Sequence, residues 1–387
     1  MKFKLVTTVF IFLAYLGNNV SFASDESNLF MYVANEGDAT VMVIDMDKDE
    51  VIATLPTGLV PHAIVFAGHC RAYVNNRGDK FLSVIDTAKQ QVVGKIELPG
   101  ASLQLELSPN GETIAISYQK ELKLSLLDVK TETITATVTV GENTNPDHKG
   151  RIMVHPFWSK KGDFIYIQDN INKNVVKVDS KTFSVSAKIA MPGANHDLMA
   201  SENGKIIYAI NGKTSKGTSL TIIDSLSDKI VSDIAVPLLE GEKGKGHHGE
   251  IDRNNTLYFC NEGGRSVTLV DLKDLKAVKN VETGKGPGHA VLSVDGKYMF
   301  IIPHKDSLVS VVDTSTREVI KNINTGDGKK LGHSAFVTND GKFLYVINVP
   351  DQKIIKIDTN KLEVVSRVTI GKNALAFGVT SKCNDGK

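Results

Sequence analysis

Cysteine, tryptophan and net charge are all scarce in this sequence. Its 387 residues include three cysteines and one tryptophan, and 45 lysines and arginines against 44 aspartates and glutamates leave a formal net charge of +1. No Cys-x-x-Cys-His motif occurs, which excludes covalent attachment of a c-type haem, and three cysteines allow at most one disulfide. The missing basic excess argues against a nucleic-acid-binding protein. Hydrophobic residues still make up 41% of the chain, so intrinsic disorder is also excluded.

An apolar run of targeting type lies at the N-terminus. Two lysines precede the stretch from Leu5 to Leu16, and Ser21-Phe22-Ala23 supplies small residues at the −3 and −1 positions of a cleavage site. This pattern predicts a signal peptide over residues 1–23 and a single mature domain over residues 24–387. The run is shorter than the roughly 20 residues of a membrane span. We therefore expect a secreted chain that does not span the membrane, periplasmic if the source is Gram-negative.

A Val/Ile-rich strand that ends in aspartate recurs along the rest of the chain. Each repeat reads as four short strands, and Asp-Gly or Asn-Gly pairs mark tight turns between them. Repeats of this kind are typical of β-propellers. The aspartates stand 41 to 51 residues apart, at Asp45, Asp86, Asp128, Asp179, Asp224, Asp271, Asp313 and Asp358. Asparagines that suit turns for backbone reasons recur at Asn35, Asn76, Asn170, Asn211, Asn261 and Asn348.

The repeat predicts an all-β fold, an eight-bladed β-propeller closed by its C-terminal strand. The four strands of a repeat can be counted from the central channel outward. On this count the mature chain opens on a second strand, Leu29 to Ala34, and closes on an innermost strand, Ala374 to Thr380. We therefore expect the last strand to complete the first blade and leave no free edge. A seven-bladed ring with one irregular unit is the alternative. In the eight-bladed ring, Cys70 and Cys383 would lie on one face of neighbouring blades. An oxidising compartment would favour a disulfide between them.

Histidines concentrate where the innermost strands begin. When the repeats are aligned on the turn that follows each innermost strand, six of eight strands start with histidine at one mouth of the central channel. The candidate metal ligands are His62, His155, His196, His247, His248, His289 and His333. Four further residues on the same face could support them: His148, His304, Asp197 and Glu250.

So many converging imidazoles predict a transition-metal site. Without a metal or a charged partner, a buried ring of histidines would leave many nitrogens unsatisfied. Imidazole suits copper, zinc, iron and nickel, and more than four histidines exceed one tetrahedral zinc site. Copper is favoured because it has the higher affinity for nitrogen ligands. If the protein is an enzyme, it would be a copper-dependent oxidoreductase that acts on a small inorganic molecule and exchanges electrons with a redox partner protein. The alternative is a non-catalytic propeller that binds a protein or polymer.

Three short segments carry a family resemblance. Tyr32-Val-Ala-Asn35, Tyr73-Val-Asn-Asn76 and Tyr345-Val-Ile-Asn348, each followed by a Val-Ile-Asp-like strand, resemble the YVTN family of secreted β-propellers. That resemblance implies the fold but little about function, since the family includes surface-layer, binding and enzyme proteins.

The histidine ring resembles two further groups of propellers. It looks like the copper propellers of nitrous oxide reductase and thiocyanate dehydrogenase, which implies that the ring histidines are copper ligands, although those rings have seven blades. The count of eight resembles instead the haem d1 propeller of cytochrome cd1 and the related d1-biosynthesis protein, which implies haem d1 as the alternative cofactor. Haem d1 carries several carboxylates, so cations should surround it. Only three arginines are expected on the face that carries the histidines, which counts against haem d1: Arg77, Arg151 and Arg265.

Overall fold

The computed structural model describes residues 28–383, apart from residues 69, 146–151, 153, 154, 215, 216, 328 and 329. In this part of the chain the regular secondary structure consists of 32 β-strands, which form eight antiparallel sheets of four strands each. The eight-bladed propeller is therefore confirmed, and the seven-bladed alternative is wrong. None of the described residues forms a helix long and apolar enough to cross a membrane. The expected signal peptide, residues 1–23, lies outside the described residues.

Each blade has an inner strand a, followed outward by strands b, c and d. The a strands are β4 (Pro61–Phe66), β8 (Ser102–Leu107), β12 (Phe157–Trp158), β16 (Gly193–Ala200), β20 (Gly246–Ile251), β24 (Pro287–Leu292), β28 (Leu331–Val337) and β32 (Ala374–Ser381). The b strands are β1 (Leu29–Asn35), β5 (Arg71–Asn76), β9 (Thr113–Tyr118), β13 (Phe164–Asp169), β17 (Ile206–Thr214), β21 (Thr256–Asn261), β25 (Tyr298–Pro303) and β29 (Phe343–Asn348). The c strands are β2 (Thr40–Asp45), β6 (Phe81–Asp86), β10 (Lys123–Asp128), β14 (Asn174–Asp179), β18 (Gly217–Asp224), β22 (Ser266–Asp271), β26 (Leu308–Asp313) and β30 (Lys353–Asp358). The d strands are β3 (Glu50–Pro56), β7 (Gln91–Glu97), β11 (Thr133–Thr139), β15 (Ser184–Ala190), β19 (Lys229–Val236), β23 (Lys276–Glu282), β27 (Glu318–Asn324) and β31 (Glu363–Thr369). Blade 1 combines β32 with β1 to β3, and blades 2 to 8 each take four consecutive strands.

The recurring aspartate ends strand c and closes the turn to strand d. In blade 7, Asp313 Oδ1 accepts the backbone N–H groups of Ser315 and Thr316 at 2.9 and 3.0 Å. The same arrangement recurs around the ring. Four residues after each of the eight aspartates, a non-glycine residue adopts a left-handed φ of 52° to 60°. The aspartate stabilises this turn because its carboxylate accepts the exposed turn amides.

The ring closes through the two ends of the chain. Strand β32 pairs antiparallel with β1, with Leu29 opposite Ser381. Both strands run one residue beyond their expected ends. The predicted disulfide between Cys70 and Cys383 is also confirmed, with a Cα–Cα distance of 5.5 Å. It joins the residue before β5 in blade 2 to the segment that follows β32, so a covalent bond reinforces the closure.

The apolar core lies between the blades. In the described residues it forms eight clusters, one for each pair of neighbouring blades. The asparagine that ends strand b holds the loop leading into the inner strand of the same blade: Asn76 Oδ1 accepts the N–H of Gly58 at 3.1 Å. Asn35 and Asn261 make the equivalent bond in blades 1 and 6, which confirms their structural role. In blade 4 this position is Asp169 and not Asn170, which follows the strand end.

Candidate metal centre

The mouth of the channel is lined by the starts of the inner strands and by the turns between strands b and c. Most of the ring histidines lie within the first four residues of an inner strand: His62 in β4, His196 in β16, His247 and His248 in β20, His289 in β24 and His333 in β28. His155 does not, contrary to expectation. Strand β12 has only two residues and begins at Phe157, so His155 lies in the preceding loop.

Irregular pairing at the starts of inner strands directs these side chains into the mouth. In blade 6 the register between strands a and b shifts within Gly246–Gly249, so His247 and His248 lie outside the regular ladder. Such a bulge breaks the strict alternation of side chains along a strand. Two adjacent histidines can therefore face one cluster. Similar shifts enclose His62 and His333.

Eight imidazole rings of the described residues form one connected cluster around the adjacent His247 and His248. The ring centroid of His248 lies 4.2, 4.6, 5.0 and 5.4 Å from those of His289, His247, His196 and His155, and that of His247 lies 4.0 Å from that of His196. His304, expected only as a nearby loop residue, lies 4.9 Å from His247. The remaining two are His333, 4.8 Å from His304, and His62, 5.8 Å from His333. His148 lies outside the described residues.

Three sets of side chains in the described part of the chain bring their ligand atoms within 4.8 Å of one another. The sets are His155 with His196 and His248, His247 with His248 and His289, and His247 with Glu262 and His304. All of these residues belong to blades 4 to 7, so the cluster is densest on one side of the mouth. His62 belongs to none of the three sets, and its role as a ligand stays a prediction.

Acceptor groups of the protein orient two of the rings, and a carboxylate lies beside a third. His247 Nδ1 donates to the carbonyl oxygen of Gly288 at 3.1 Å, and His62 Nδ1 lies 2.6 Å from Glu36 Oε1. Because carbonyls and carboxylates only accept, Nδ1 carries the proton in both rings, and the Nε2 lone pair remains for a ligand. Asp197 Oδ2 lies 3.1 Å from His248 Nδ1, outside hydrogen-bond alignment. It therefore contributes charge near that ring more than a directed bond.

Burial leaves ring nitrogens without partners. Among the described residues, Nε2 of His289 and Nε2 of His304 have no hydrogen-bond partner, although both side chains are more than nine-tenths buried. Burial, together with repulsion from neighbouring imidazoles, lowers the pKa of His247 and of His289 well below 6.5. Burial also lowers the pKa of His304, against the raising effect of Glu262. At neutral pH these rings are neutral, which is the form that ligates a metal.

Two glutamates at the mouth were missed by the sequence reasoning. Glu36 and Glu262 each follow the last asparagine of strand b, so the recurrent Asn-Glu pair was the available signal. Glu262 Oε1 lies 3.8 Å from His304 Nδ1, its Oε2 lies 3.9 Å from His247 Nε2, and it pairs with Lys245. Burial would raise the pKa of Glu262, but His304 and Lys245 lower it to about 2. The site therefore contains an ionised carboxylate beside neutral imidazoles.

The other expected supporting residues have different neighbours. Glu250 is buried in β20, and burial, with the charges of Asp197 and Glu250, raises the pKa of the Cys260 thiol. Cys260 packs in the apolar core between blades 6 and 7 and belongs to none of the three ligand sets. Arg77 lies 3.7 Å from Glu36, whereas Arg265 forms a partly exposed ion pair with a glutamate of β23. Arg151 lies outside the described residues.

Comparison of sequences gives one partial relative. No protein-family model matches the chain, so membership of the YVTN family is not confirmed. Antigen Lp49 of Leptospira interrogans serogroup Icterohaemorrhagiae serovar copenhageni is 24% identical over 194 residues, which are 49% of this chain and 41% of that protein. The matched region thus spans less than half of the relative.

Solved structures share the fold over nearly the whole described chain. Dihydro-heme d1 dehydrogenase NirN, in complex with DHE, aligns with a TM-score of 0.74 at 18% identity, covering 92% of this chain and 76% of that one. AztD from Citrobacter koseri aligns with a TM-score of 0.63 at 14% identity, covering 93% and 99%. The apo form of AztD gives a TM-score of 0.62 at 14% identity, covering 91% and 98%. At these identities the likeness establishes the propeller fold alone.

Proposed function

We propose that this chain is a secreted metal-binding propeller whose histidine cluster holds copper and supports redox chemistry on a small inorganic molecule. The convergence of eight imidazoles at one channel mouth, five of them buried, carries the proposal. A buried polar atom without a partner is costly, and Nε2 of His289 and of His304 are two such atoms. A transition-metal ion satisfies imidazole lone pairs directly.

The residues at the mouth fit a copper site. His155, His196 and His248 supply an all-imidazole set, and three protein ligands with an open position is the arrangement of catalytic metal sites. When bound, copper would supply one-electron redox chemistry. Among the chain's own residues, Asp197 places negative charge beside His248. The partly exposed His155 and His196 mark the side from which a small molecule reaches the set.

Export fits this assignment. We propose that residues 1–23 direct secretion, to the periplasm if the source is Gram-negative, and that a redox partner protein docks over the mouth. The disulfide between Cys70 and Cys383 supports an oxidising compartment, since such bonds persist there and are rare in the cytosol.

Metal analysis of protein secreted with its own leader and purified without a His tag tests the proposal. After loading with Cu²⁺ and dialysis, we expect at least one tightly held copper per chain. His248→Ala should remove more copper than any other single histidine substitution, because His248 is the histidine that belongs to both all-imidazole sets. The matched control is His62→Ala, which removes an equally buried histidine that belongs to none of those sets. Wild-type protein that retains no metal would overturn the proposal in favour of a non-catalytic binding propeller.

Haem d1 is the second candidate, favoured by the fold shared with NirN over 92% of the chain. Charge at the mouth argues against it. Glu36, Asp197 and Glu262 contribute negative charge, and the cations beside them, Arg77 and Lys245, already pair with two of these carboxylates. The test is to add haem d1 and separate the mixture by gel filtration. A haem spectrum that elutes with the protein would support this candidate, and haem that elutes entirely apart from the protein would exclude it.

A further inference from the structure

We infer that the mouth holds a second metal site of different ligand chemistry, formed by His247, Glu262 and His304. This inference rests on the proposed function, because it adds a carboxylate-containing site beside the all-imidazole set. Its ligand atoms lie within 4.8 Å of one another. Two imidazoles with one carboxylate is a donor set used by zinc hydrolases and by non-haem ferrous enzymes.

The gaps around Glu262 have the size of a metal ion. Its two carboxylate oxygens lie 3.9 Å from His247 Nε2 and 3.8 Å from His304 Nδ1. Both distances are too long for a hydrogen bond. Both are slightly less than the sum of two metal–ligand bonds of about 2.0–2.1 Å. An ion between these atoms would therefore complete contacts that the side chains do not make with one another.

The two sites do not compete for ligands. The all-imidazole set uses His155, His196 and His248, and the carboxylate set uses His247, Glu262 and His304. The bulge at the start of β20 lets His247 join the carboxylate set while His248 joins His155 and His196, although both also belong to the third set with His289. His289 lies between the sets, 4.2 Å from the ring of His248 and 5.0 Å from that of His304.

Features around the second set prepare it for a ligand. His304 is more than nine-tenths buried, and its Nδ1 lies on the side of the ring next to Glu262. Gly288 orients the ring of His247, because its carbonyl oxygen accepts a hydrogen bond from His247 Nδ1. His247 Nε2 therefore faces Glu262. The His304 ring packs so closely on Gly288 that a methyl group there would overlap it.

Lys245 is the competing cation at this set. Its ammonium pairs with Glu262 Oε2, but its side chain is 57% exposed, so it can move into solvent when a metal ion takes its place. Removing this lysine should therefore tighten metal binding at the carboxylate set and leave the all-imidazole set unchanged.

The test is metal stoichiometry in the mature protein with Zn²⁺ as the only probe, since zinc accepts both donor sets. Equilibrium dialysis against buffered zinc, followed by metal analysis, should give about two ions per chain. Glu262→Gln, His304→Ala and the double variant should each lose the same single ion. His196→Ala should lose the other. Lys245→Ala should keep both ions and hold one of them more tightly, by about tenfold or more.

Glu36→Gln is the matched control, because it neutralises the equivalent glutamate in blade 1, which also contacts a buried histidine but belongs to no ligand set. It should keep both ions. If wild type binds one ion that His196→Ala removes and Glu262→Gln and His304→Ala retain, the second site does not exist, while the proposed function stands. If wild type binds no ion, both fail. Circular dichroism of each variant identifies any loss of metal that comes from unfolding.

Discussion

Replacing Cys383 by alanine should destabilise the whole ring and not only its last strand. The disulfide joins residues that are 313 positions apart. In the chain-entropy treatment a 100-residue loop contributes about 4.7 kcal/mol and the contribution grows with the logarithm of length, so this loop would contribute about 5–6 kcal/mol. Losses measured for native disulfides are typically about 2–5 kcal/mol. Because the pairing of β1 with β32 still closes the folded ring without the bond, we expect a loss in that measured range.

Urea unfolding measures this loss with two probes. Far-UV circular dichroism reports on all strands, whereas the fluorescence of Trp158, the only tryptophan in the chain, reports on β12 in blade 4. If the bond stabilises the entire ring, both transitions should coincide and should move together to lower urea.

Wild-type protein with its disulfide reduced is the control, and it should unfold like Cys383→Ala. The double variant that also carries Cys70→Ala should lose little more, since either single change already removes the bond. A transition that moves for circular dichroism but not for Trp158 would show that the bond holds only the closure. Identical midpoints for oxidised, reduced and variant protein would refute the reasoning altogether.

Other perturbations test the site and the turns. Gly288→Ala should displace the ring of His304 and lower zinc content by about one ion per chain at unchanged circular dichroism; unchanged content would contradict the packing. Thiol titration should find no reactive thiol in the native protein and one, Cys260, after unfolding without reductant; more than one would mean that the disulfide is absent. As pH falls below about 6.5, metal should dissociate and the metal-free protein should lose stability. Burial and neighbouring imidazoles hold the pKa of His247 and of His289 below the value in the unfolded chain, so the unfolded chain binds more protons in this pH range. A urea midpoint that does not change between pH 7 and 5 would contradict this. Below about pH 4 the urea midpoint should fall again, because hydrogen bonds in the turns lower the folded-state pKa of several carboxylates. Their stabilisation is present above pH 3.8 and is lost as the pH falls through the folded-state pKa values. These carboxylates are Asp128, Asp179, Asp224, Asp271 and Asp313.

Recurrent backbone requirements made the fold predictable from sequence. Every blade needs a carboxylate at the end of strand c, because the following turn exposes two amides and ends on a left-handed residue. That requirement repeats from Asp45 to Asp358, and it fixed the number of blades. The histidines could be found in the same way, because most of them share one position near the start of an inner strand.

The grouping of the ligands could not be predicted, because it depends on features that do not repeat. The residue equivalent to Glu262 in the repeat is different in most blades, so only the Asn-Glu pair shared by blades 1 and 6 points to it. These residues are Glu36, Arg77, Gln119, Asn170, Gly212, Glu262, His304 and Val349. The bulge in β20 and the two-residue length of β12 decide where His247, His248 and His155 lie. These are local departures from the repeat, so an alignment of the repeats does not reveal them.

The propeller separates the residues that hold the backbone from those that line the mouth. The turn aspartates, the strand-end asparagines and the cores between blades support the ring. Most blades deliver a histidine from the start of the inner strand to the mouth, and blades 1, 6 and 7 add a side chain from the turn after strand b: Glu36, Glu262 and His304. Such a layout lets evolution exchange the chemistry of the mouth one substitution at a time, with little cost to folding. Descendants of a common ring can therefore diverge in activity long before they diverge in architecture.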